Sequence, residues 1–426
     1  MRFESESIVS SAYQAVINLL KSCYKVLMRI ASPFLDARAR YYLAKNAKLP
    51  LPCYGDRIRV AYLVFEPETW DKQEPVYREM LRRDDVEVDV LVVPSFNGGF
   101  SVGRKYGREL EFFQNECESV IPVYDTCGKL LDIKKANYDF VFYEDPYNRH
   151  MPWSLRSHQV VRYSKICYIP YGLSGSSVFD SIADNREFFR NVAYTFCDIP
   201  EKRETFIRAF QRTCDKGLQH FEYMGYPALE KYYSSRFCGN DQLRKRLTWT
   251  PRWSYDKKIG GSHFIEYKDE FLKYAKSRTD CSFTLRPHPM MFTEFVSKGI
   301  MAECDVSKYK VELDRLGVTL SQNEPITDVL LDTDILLTDY SSIIVMYFLT
   351  GRPVIYCSSA IPFNDAYEAM KPGMYIANNW DDVERYLDGI MSGNDYLEET
   401  RRAIIENYFG DVSGSAKSIV DYLIDK

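Results

Sequence analysis

The chain has 426 residues, of which 46% are hydrophobic and 27% charged, and its formal net charge is −5. This length predicts two domains, and the composition is that of a globular chain rather than a disordered one. The slightly acidic balance excludes a general electrostatic attraction to nucleic acid, so no nucleic-acid partner is expected. The eleven cysteines form no Cys-x-x-Cys pair, and we expect free thiols rather than disulfides or a zinc site.

The first fifty residues differ from the rest in charge. Residues 1–50 carry a balance of +5, which leaves −10 for the remainder. Apolar residues recur there at helical spacing beside a basic row of Lys21, Lys25 and Arg29. No apolar run approaches the ~20 residues of a membrane-spanning helix, and the lysines interrupt a signal-peptide pattern. We interpret 1–50 as an amphipathic extension that packs on the protein's own core or lies on an anionic membrane surface, and we prefer the membrane.

Strand and helix patterns alternate from residue 57 onward. In the first half of the chain, strands are predicted at 57–65, 86–93, 119–123, 138–143, 165–170 and 191–196. Such alternation is typical of a parallel sheet covered on both faces by helices. Polar residues cluster at 236–246, which we interpret as the linker between an N-terminal domain, 51–240, and a C-terminal domain, 241–426.

A second alternating series follows the linker. Its predicted strands are 247–250, 282–286, 318–321, 334–338 and 353–357, with helices at 264–276, 381–391, 397–408 and 413–424. The predicted fold class is therefore α/β, with two tandem doubly wound, Rossmann-like domains behind the helical extension. Two such domains have a cleft between them that is lined by the carboxyl ends of both sheets.

One polar cluster follows the predicted strand 334–338. Thr338, Asp339, Ser341 and Ser342 stand directly before a predicted helix that begins near Ile343. The first N–H groups of a helix are unpaired and its dipole is positive there, so an anion is favoured, and serine hydroxyls add donors. A plain serine N-cap on a core helix gives the same pattern.

Two more predicted strands of the same sheet end in polar residues. Arg286 and His288 follow the strand 282–286 on a turn that prolines hold rigid, and Arg252 and Ser254 follow the strand 247–250. Arginine offers a two-pronged donor to phosphate, and histidine a donor or proton carrier near neutral pH. A lone histidine is usually structural, but three polar strand ends in one parallel sheet meet at one edge, so we predict a phosphate site there.

Together these motifs resemble the CDP-glycerol glycerophosphotransferase family, which builds or primes teichoic acid and related poly(alditol phosphate) chains of the bacterial cell envelope. The resemblance rests on Arg-Pro-His-Pro at 286–289, Thr-Asp-Tyr-Ser-Ser at 338–342 and Arg-Pro with an apolar strand at 352–357. It implies the two-Rossmann GT-B architecture, with the donor held by the C-terminal domain and the acceptor by the N-terminal domain. It also implies a cytoplasmic protein, peripheral on the inner face of the membrane.

The activity that the resemblance implies is transfer of an alditol phosphate from CDP-glycerol or CDP-ribitol to a hydroxyl of a lipid-linked or saccharide acceptor, with release of CMP. Arg286 and His288 would contact the pyrophosphate and leaving group, and Ser341 and Ser342 the phosphates. The remaining donor-binding candidates are Arg252, Ser254, Thr338 and Asp339. No carboxylate cluster marks a metal site, and we expect neither a metal nor another cofactor.

The chain departs from the family pattern at two positions. Met346 stands where an Asp is usual, and Tyr171 stands where the acceptor domain usually has a His. A phenol is a poor base at neutral pH, so we expect Tyr171 to form a wall or donate a hydrogen bond in the acceptor cleft. The base is then expected among residues that follow strands of the N-terminal domain: Glu66, Glu144, Asp145 and His150, with Glu144 and Asp145 preferred.

Two alternatives remain open from the sequence. The same fold and phosphate-binding devices would serve a glycosyltransferase that uses a nucleotide sugar for capsule or surface polysaccharide. A catalytically inactive scaffold of a capsule-assembly complex is also compatible with Tyr171 and Met346.

Overall fold

The structure is a computed structural model that describes residues 30–49, 57–94, 105–173, 185–237, 244–322 and 324–425. Within these ranges thirteen strands form two sheets, and every strand pairing within them is parallel. The predicted α/β class with two doubly wound domains is confirmed. The predicted domain boundary at 240/241 lies outside the described residues.

The first sheet has the strand order β3-β2-β1-β4-β5-β6-β7. Its strands are β1 (Ile58–Val64), β2 (Val86–Val92), β3 (Val120–Pro122), β4 (Phe140–Tyr143), β5 (Lys165–Tyr168), β6 (Tyr194–Phe196) and β7 (His220–Glu222). The chain runs outward from β1 to β3, returns to pair β4 with β1, and then runs outward the other way. The order therefore reverses between β1 and β4, and ligands of such sheets bind at this switch point.

The second sheet repeats this plan with the order β10-β9-β8-β11-β12-β13. Its strands are β8 (Lys245–Thr250), β9 (Cys281–Leu285), β10 (Thr319–Leu320), β11 (Ile335–Thr338), β12 (Val354–Cys357) and β13 (Tyr375–Ala377). β11 and β12 are apolar over nearly their whole length, because helices cover both faces of the sheet. The switch point here lies between β8 and β11.

Helices cover both sheets. In the first half they are 30–46, Glu74–Leu81, Arg108–Glu116, Ile133–Ala136, Ser157–Val160, Arg186–Phe189, Pro200–Cys214 and Glu230–Ser234. In the second half they are Phe264–Ser277, Met291–Ser297, Glu303–Arg315, Ile326–Leu331, Ile343–Phe348, Asp365–Met370, Trp380–Met391, Glu398–Ile404 and Ser415–Ile424, with a π-helical turn at Ile405–Phe409. None of the helices in the described part of the chain combines the length and the apolar character that crossing a bilayer requires.

The helix 30–46 packs on the first domain. The side chains of Ala39 and Leu43, on the inner face of this helix, are buried. Asn46 Nδ2 donates to the carbonyl oxygens of Val161 and Ser164 at 2.5 and 3.0 Å. This part of the extension therefore belongs to the protein's own core. The basic row Lys21, Lys25 and Arg29 lies outside the described residues.

The C-terminal helix, Ser415–Ile424, returns from the second domain to the first. Glu230 Oε1 accepts hydrogen bonds from Ser415 Oγ at 2.7 Å and from an amide in the first turn of the helix, Ala416 N, at 2.6 Å. At its other end, Arg83 Nη2 lies 2.8 Å from Asp425 Oδ1. The apolar face of this helix joins the core that also contains the first sheet. The first domain is thus packed with residues from both halves of the chain.

Free thiols were expected, and the eight cysteines among the described residues are all free.

Replacing Glu230 tests the anchoring of the C-terminal helix. We expect Glu230→Ala to lower the free energy of unfolding by about 1.5–3 kcal/mol, because two hydrogen bonds to a carboxylate at a helix N-terminus are lost. Urea denaturation measures this difference. The matched control is Glu384→Ala, which removes an exposed glutamate from the helix Trp380–Met391. Equal effects of the two substitutions would contradict the anchoring role.

Candidate functional site

A cleft of about 990 Å³ lies between the two sheets, at the carboxyl ends of their strands. We call its two sides the first-domain wall and the second-domain wall. The first-domain wall includes Lys72, Tyr147, Arg149, Tyr171 and Lys202, and the second-domain wall includes Arg252, His288, Tyr340, Ser342 and Met346. Cationic side chains therefore enter the cleft from both domains.

Asp339 is 1% exposed and lies beneath the second-domain wall. Its carboxylate accepts from Arg252 N at 2.9 Å, Ser262 Oγ at 3.3 Å, His263 Nδ1 at 2.7 Å and His263 N at 3.3 Å. These four donors fix the loop after β8 against the turn after β11. Asp339 was predicted to bind the donor directly, but its placement is that of a support for the wall.

Thr338 and Ser254, two further predicted donor-binding residues, are also buried beneath the wall. Thr338 Oγ1 pairs with Thr250 Oγ1 at 2.8 Å, which joins the ends of β11 and β8. Ser254 Oγ accepts from Asp256 N at 3.2 Å and shapes the loop after β8. Neither residue lines the cleft.

Arg252 lies on the second-domain wall with its guanidinium partly engaged. Nη1 donates to Tyr340 O at 2.8 Å, and the guanidinium carbon lies 5.1 Å from the centroid of the Tyr340 ring. Its buried Nε has no hydrogen-bond partner among the described residues. Burial lowers the pKa of Arg252 from its usual value, yet an arginine remains charged at neutral pH. Arg252 therefore places a fixed positive charge on the second-domain wall, and its guanidinium retains an N–H group that is not hydrogen-bonded within the described residues.

His288 stands beside Arg252 on the same wall. Its Nδ1 accepts a hydrogen bond from Met290 N at 3.2 Å, so the neutral ring carries its proton on Nε2. Desolvation in the cleft and the charge of Arg252 both lower the pKa of His288 below 6.5. At neutral pH the ring is therefore mostly neutral, with Nε2–H as a donor.

The paired serines take different places. Ser342 is exposed to the cleft at the start of the helix Ile343–Phe348. Ser341 holds the turn, because its Oγ accepts from Ile343 N at 3.4 Å and its carbonyl oxygen accepts from Tyr367 Oη at 3.0 Å. Met346, on the next turn of the helix, adds an apolar side chain to the wall.

Arg286 is engaged away from the cleft. Its Nη1 donates to Ser321 Oγ at 3.0 Å, and its Nη2 donates to Glu324 O at 2.8 Å. It was predicted to contact the pyrophosphate, but the structure brings it to the loop after β10. It is not among the residues that line the cleft.

Tyr171 lies on the first-domain wall, as the sequence predicted for the strand end after β5. Its Oη is 3.2 Å from Tyr147 Oη, and the Arg149 guanidinium carbon lies 5.0 Å from the Tyr147 ring centroid. Burial raises the pKa of Tyr171 well above its usual range, so the phenol stays protonated at neutral pH. It can donate a hydrogen bond there, but it is a poor proton acceptor.

Glu144 is buried and holds the loop after β1. Its carboxylate accepts from Phe65 N at 2.6 Å, from Glu66 N at 3.0 Å and from the Thr69 hydroxyl. Burial raises the pKa of Glu144 to about 8. Burial and the neighbouring Glu68 also raise the pKa of Glu66. Glu144 thus shapes the rim of the cleft.

Sequence reasoning missed three residues of this region. Lys72 and Lys202 enter the cleft, and Lys202 Nζ lies 2.7 Å from Asp198 Oδ2. A single lysine on a helical segment has no sequence pattern from which a position in the cleft could be predicted. His263 was missed because its partner, Asp339, is far away along the chain.

His263, Asp339 and Cys357 have possible metal-ligand atoms within 4.8 Å of one another. The carboxylate of Asp339 already accepts four hydrogen bonds, which use the lone pairs that a metal ion would need. One of the four donors is His263 Nδ1, a nitrogen that would itself have to bind the metal. This group is therefore a hydrogen-bond network that does not fit a metal ion.

Comparisons with known proteins agree with this geometry. The sequence matches the family model described as CDP-Glycerol:Poly(glycerophosphate) glycerophosphotransferase over residues 180–424. No curated protein sequence matches the chain significantly.

Solved structures of low sequence identity share the fold. A UDP-GlcNAc 2-epimerase from Neisseria meningitidis bound to UDP-GlcNAc is 14% identical, with a TM-score of 0.57 over 87% of this chain and 100% of its own. A putative UDP-N-acetylglucosamine 2-epimerase from Listeria monocytogenes is 11% identical, with a TM-score of 0.54 over 87% of this chain and 98% of its own. These likenesses show a GT-B-like fold.

The His263–Asp339 pair predicts a pH dependence of stability. The carboxylate of Asp339 raises the pKa of His263 above 6.5 despite partial burial. A raised folded-state pKa contributes stability that is complete below the unfolded value and is lost as pH rises through the folded value. We therefore expect His263→Gln to lower the melting temperature more at about pH 6 than at about pH 9.

The control for this measurement is His158→Gln. Burial lowers the pKa of His158, so the difference between this variant and the wild type should grow with pH instead. A pH-independent effect of His263→Gln would show that the pair is not charged in the folded state.

Proposed function

Because the chain belongs to the CDP-glycerol:poly(glycerophosphate) glycerophosphotransferase family, we propose that it transfers glycerol phosphate, or a similar alditol phosphate, from a CDP-linked donor. The acceptor is a hydroxyl of a lipid-linked or saccharide molecule in cell-surface polymer synthesis, and CMP is released. The observation that carries the proposal is the second-domain wall, on which Arg252, His288 and Ser342 face one cleft.

The chemistry of this wall suits a diphosphate. Arg252 supplies a permanent positive charge, while the Nε2–H of His288 and the hydroxyl of Ser342 supply donors. Charge-assisted hydrogen bonds of this kind are shorter and stronger than neutral ones. Lys202 reaches the same cleft from the first domain and adds a second cation near the reacting phosphates.

The transfer itself needs positioning and charge stabilisation. The acceptor oxygen attacks the phosphorus that bears glycerol, the bond from that phosphorus to the bridging oxygen breaks, and CMP leaves with the bridging electron pair. Arg252 and His288 would stabilise the negative charge that grows on the CMP phosphate. The residues of this chain that carry the step are donors and cations, and we propose no metal or cofactor for it.

Substitutions on the second-domain wall test the donor site. We expect His288→Ala to lower kcat by about 100-fold and Ser342→Ala to weaken donor affinity by about tenfold, because each removes a hydrogen bond to a phosphate. CMP release with a lipid-linked acceptor measures the first, and calorimetric titration with CDP-glycerol measures the second. Ser307→Ala, on the exposed face of the helix Glu303–Arg315, is the control for the serine.

The same assay separates the alternative functions. Binding of a UDP-sugar without binding of CDP-glycerol or CDP-ribitol would favour a glycosyltransferase. Failure of the wild type to bind any of these nucleotides would favour an inactive scaffold. Near-normal turnover by His288→Ala would overturn the role of the second-domain wall.

We also propose that the N-terminal extension holds the protein on an anionic membrane, at the cytoplasmic face. Ile30, Phe34 and Tyr41 form an outer stripe on the helix 30–46 and are 66%, 76% and 66% exposed. Lys45 and Lys48 continue this stripe. Apolar side chains with flanking lysines are typical of helices that lie in the surface of anionic lipid.

Paired substitutions test the membrane proposal without removing the docked helix. We expect Phe34→Ser with Lys45→Gln to weaken binding to phosphatidylglycerol vesicles, and the loss of the lysine alone is worth about 1 kcal/mol, or roughly fivefold. Co-sedimentation at rising salt measures it. The control is Val311→Ser with Lys308→Gln, since Val311 is 68% exposed on a helix of the second domain. Equal losses in both variants would contradict the proposal.

A further inference from the structure

Two segments of the first domain are basic and contain no acidic residue. They are residues 37–49, in and directly after the helix 30–46, and residues 146–165, which lead from β4 to the first residue of β5. Their cations are Arg38, Arg40, Lys45, Lys48, Arg149, Arg156, Arg162 and Lys165. The whole chain has a net charge of −5, so this local excess indicates a surface that meets an anionic partner.

The two segments lie side by side. Arg38 Nη2 donates to His158 O at 3.1 Å, and the guanidinium carbon of Arg162 lies 5.8 Å from the centroid of the Tyr42 ring. Further along the helix, Asn46 donates to two carbonyl oxygens of the second segment. The segments therefore form one surface of the first domain, which we call the basic face.

The acidic residues next to these segments in the chain do not neutralise the basic face. Asp36 pairs with Arg186 Nη2 and Arg190 Nη1, each at 3.2 Å. Residues two positions apart on a helix are about 200° apart around its axis, so Asp36 is directed away from the flank that contacts residues 146–165. Asp145, directly before the second segment, is buried and binds His150 Nδ1.

An exposed tryptophan lies on the basic face. Trp153 is 64% exposed and begins a short 3₁₀ helix, Trp153–Leu155. The centroid of its ring lies 4.7 Å from that of His158, and the guanidinium carbon of Arg156 lies 5.3 Å from it. Since the carbonyl oxygen of His158 binds Arg38, Trp153 lies beside the helix 30–46.

The outer stripe of that helix is on the same side. Phe34, Arg38, Tyr41 and Lys45 follow one another at spacings of four, three and four residues, so they share one side of the helix. Arg38 is the member of this row that contacts the second segment. The row and Trp153 are therefore neighbours, and one flat surface can touch both.

The basic face also reaches the cleft. Arg149 lines the first-domain wall and precedes Trp153 by four residues, so their Cα atoms are at most about 14 Å apart. A surface that touches Trp153 therefore lies close to the rim of the cleft.

Apolar side chains among cations favour a lipid surface over a soluble polyanion. A soluble phosphate polymer offers no apolar layer in which Phe34 and Ile30 would leave water. An anionic bilayer offers both kinds of contact, because its phosphates attract cations and aromatic rings rest at the depth of its headgroups.

We propose that the basic face, with Trp153 as its apolar anchor, lies on an anionic bilayer together with the outer stripe of the helix 30–46. The inference rests on the membrane binding proposed above and adds a second contact. A single helix leaves the domain free to turn about the helix axis, whereas two neighbouring contacts fix its orientation. In this orientation the first-domain rim of the cleft, at Arg149, opens next to the lipid headgroups.

The fluorescence of the unmodified protein tests the second contact directly. All five tryptophans lie in the described part of the chain, and of these Trp153 alone is exposed. We expect phosphatidylglycerol vesicles to shift the emission to shorter wavelength, and vesicles that also contain brominated phosphatidylcholine to quench it. Trp153→Phe should abolish both changes, while the protein still sediments with the vesicles.

Substitutions separate the anchor from the charges. We expect Trp153→Ser to weaken binding to phosphatidylglycerol vesicles by about tenfold at every salt concentration, because apolar surface no longer leaves water. Arg156→Gln with Arg162→Gln should weaken it by roughly 25-fold at low salt and by less as salt rises. Co-sedimentation measures both effects.

Matched controls come from the second domain. Tyr396→Ser removes an aromatic side chain that is 61% exposed, and Lys308→Gln with Arg315→Gln removes two cations from the helix Glu303–Arg315. Both controls should bind vesicles as the wild type does. Losses equal to those of the variants on the basic face would contradict the proposal.

Three further outcomes would overturn the inference. A wild type that sediments with vesicles without any quenching of its fluorescence would remove the contact at Trp153 and leave the membrane role of the helix 30–46 in place. A wild type that does not sediment with vesicles would remove both. Binding of soluble polyphosphate as tight as that of vesicles, lost in Arg156→Gln with Arg162→Gln, would assign the basic face to a soluble polyanion instead.

Discussion

The second-domain wall depends on one buried carboxylate. The two carboxylate oxygens of Asp339 accept hydrogen bonds from the backbone N–H of Arg252, the hydroxyl of Ser262 and the ring of His263. A buried carboxylate is costly unless donors surround it, and each donor in turn fixes a segment that would otherwise be an independent loop. The place of Arg252 in the cleft follows from this arrangement, because its backbone is held directly by Asp339. His288 joins the same wall, since its amide donates to Pro251 O at 3.2 Å.

The cleft divides its chemistry between the domains. The second-domain wall offers a fixed cation and hydrogen-bond donors, which suit an anionic group. The first-domain wall offers the aromatic hydroxyls of Tyr147 and Tyr171. Because the two walls come from different sheets, the distance between the walls is set by the contact of the domains. Packing at that contact therefore determines whether one ligand can touch both walls at once.

Periodicity along the chain was sufficient for the central strands. Runs such as those of β1 and β11 are apolar over nearly their whole length, since both faces of a parallel sheet are buried. The edge strands β7 and β13, each three residues long, were not predicted. The predicted strand 318–321 is only two residues long in the sheet, and the predicted helix 397–408 changes to a π-helical turn at Ile405.

The sequence predicted where the candidate site lies more accurately than it predicted which side chains face the cleft. Strand ends identify which residues lie at the carboxyl edge, so Arg252, His288, Ser342 and Tyr171 were found. Whether a side chain faces the cleft or the loop beneath it depends on partners far away along the chain. Asp339 and Arg286 have the same kind of position in the sequence as Ser342, yet their partners turn them away from the cleft.

The return of the C-terminal helix to the first domain has a consequence for synthesis of the chain. Val76, Tyr77 and Met80 of the helix Glu74–Leu81 are made before the second sheet, but the helix Ser415–Ile424 that packs beside them is made after it. During synthesis on the ribosome, the apolar face of the helix Glu74–Leu81 therefore stays uncovered until the second domain has been made. Exposed apolar surface of this kind is prone to aggregation and is bound by chaperones. A chain truncated before residue 415 would keep both sheets but would leave that surface open permanently.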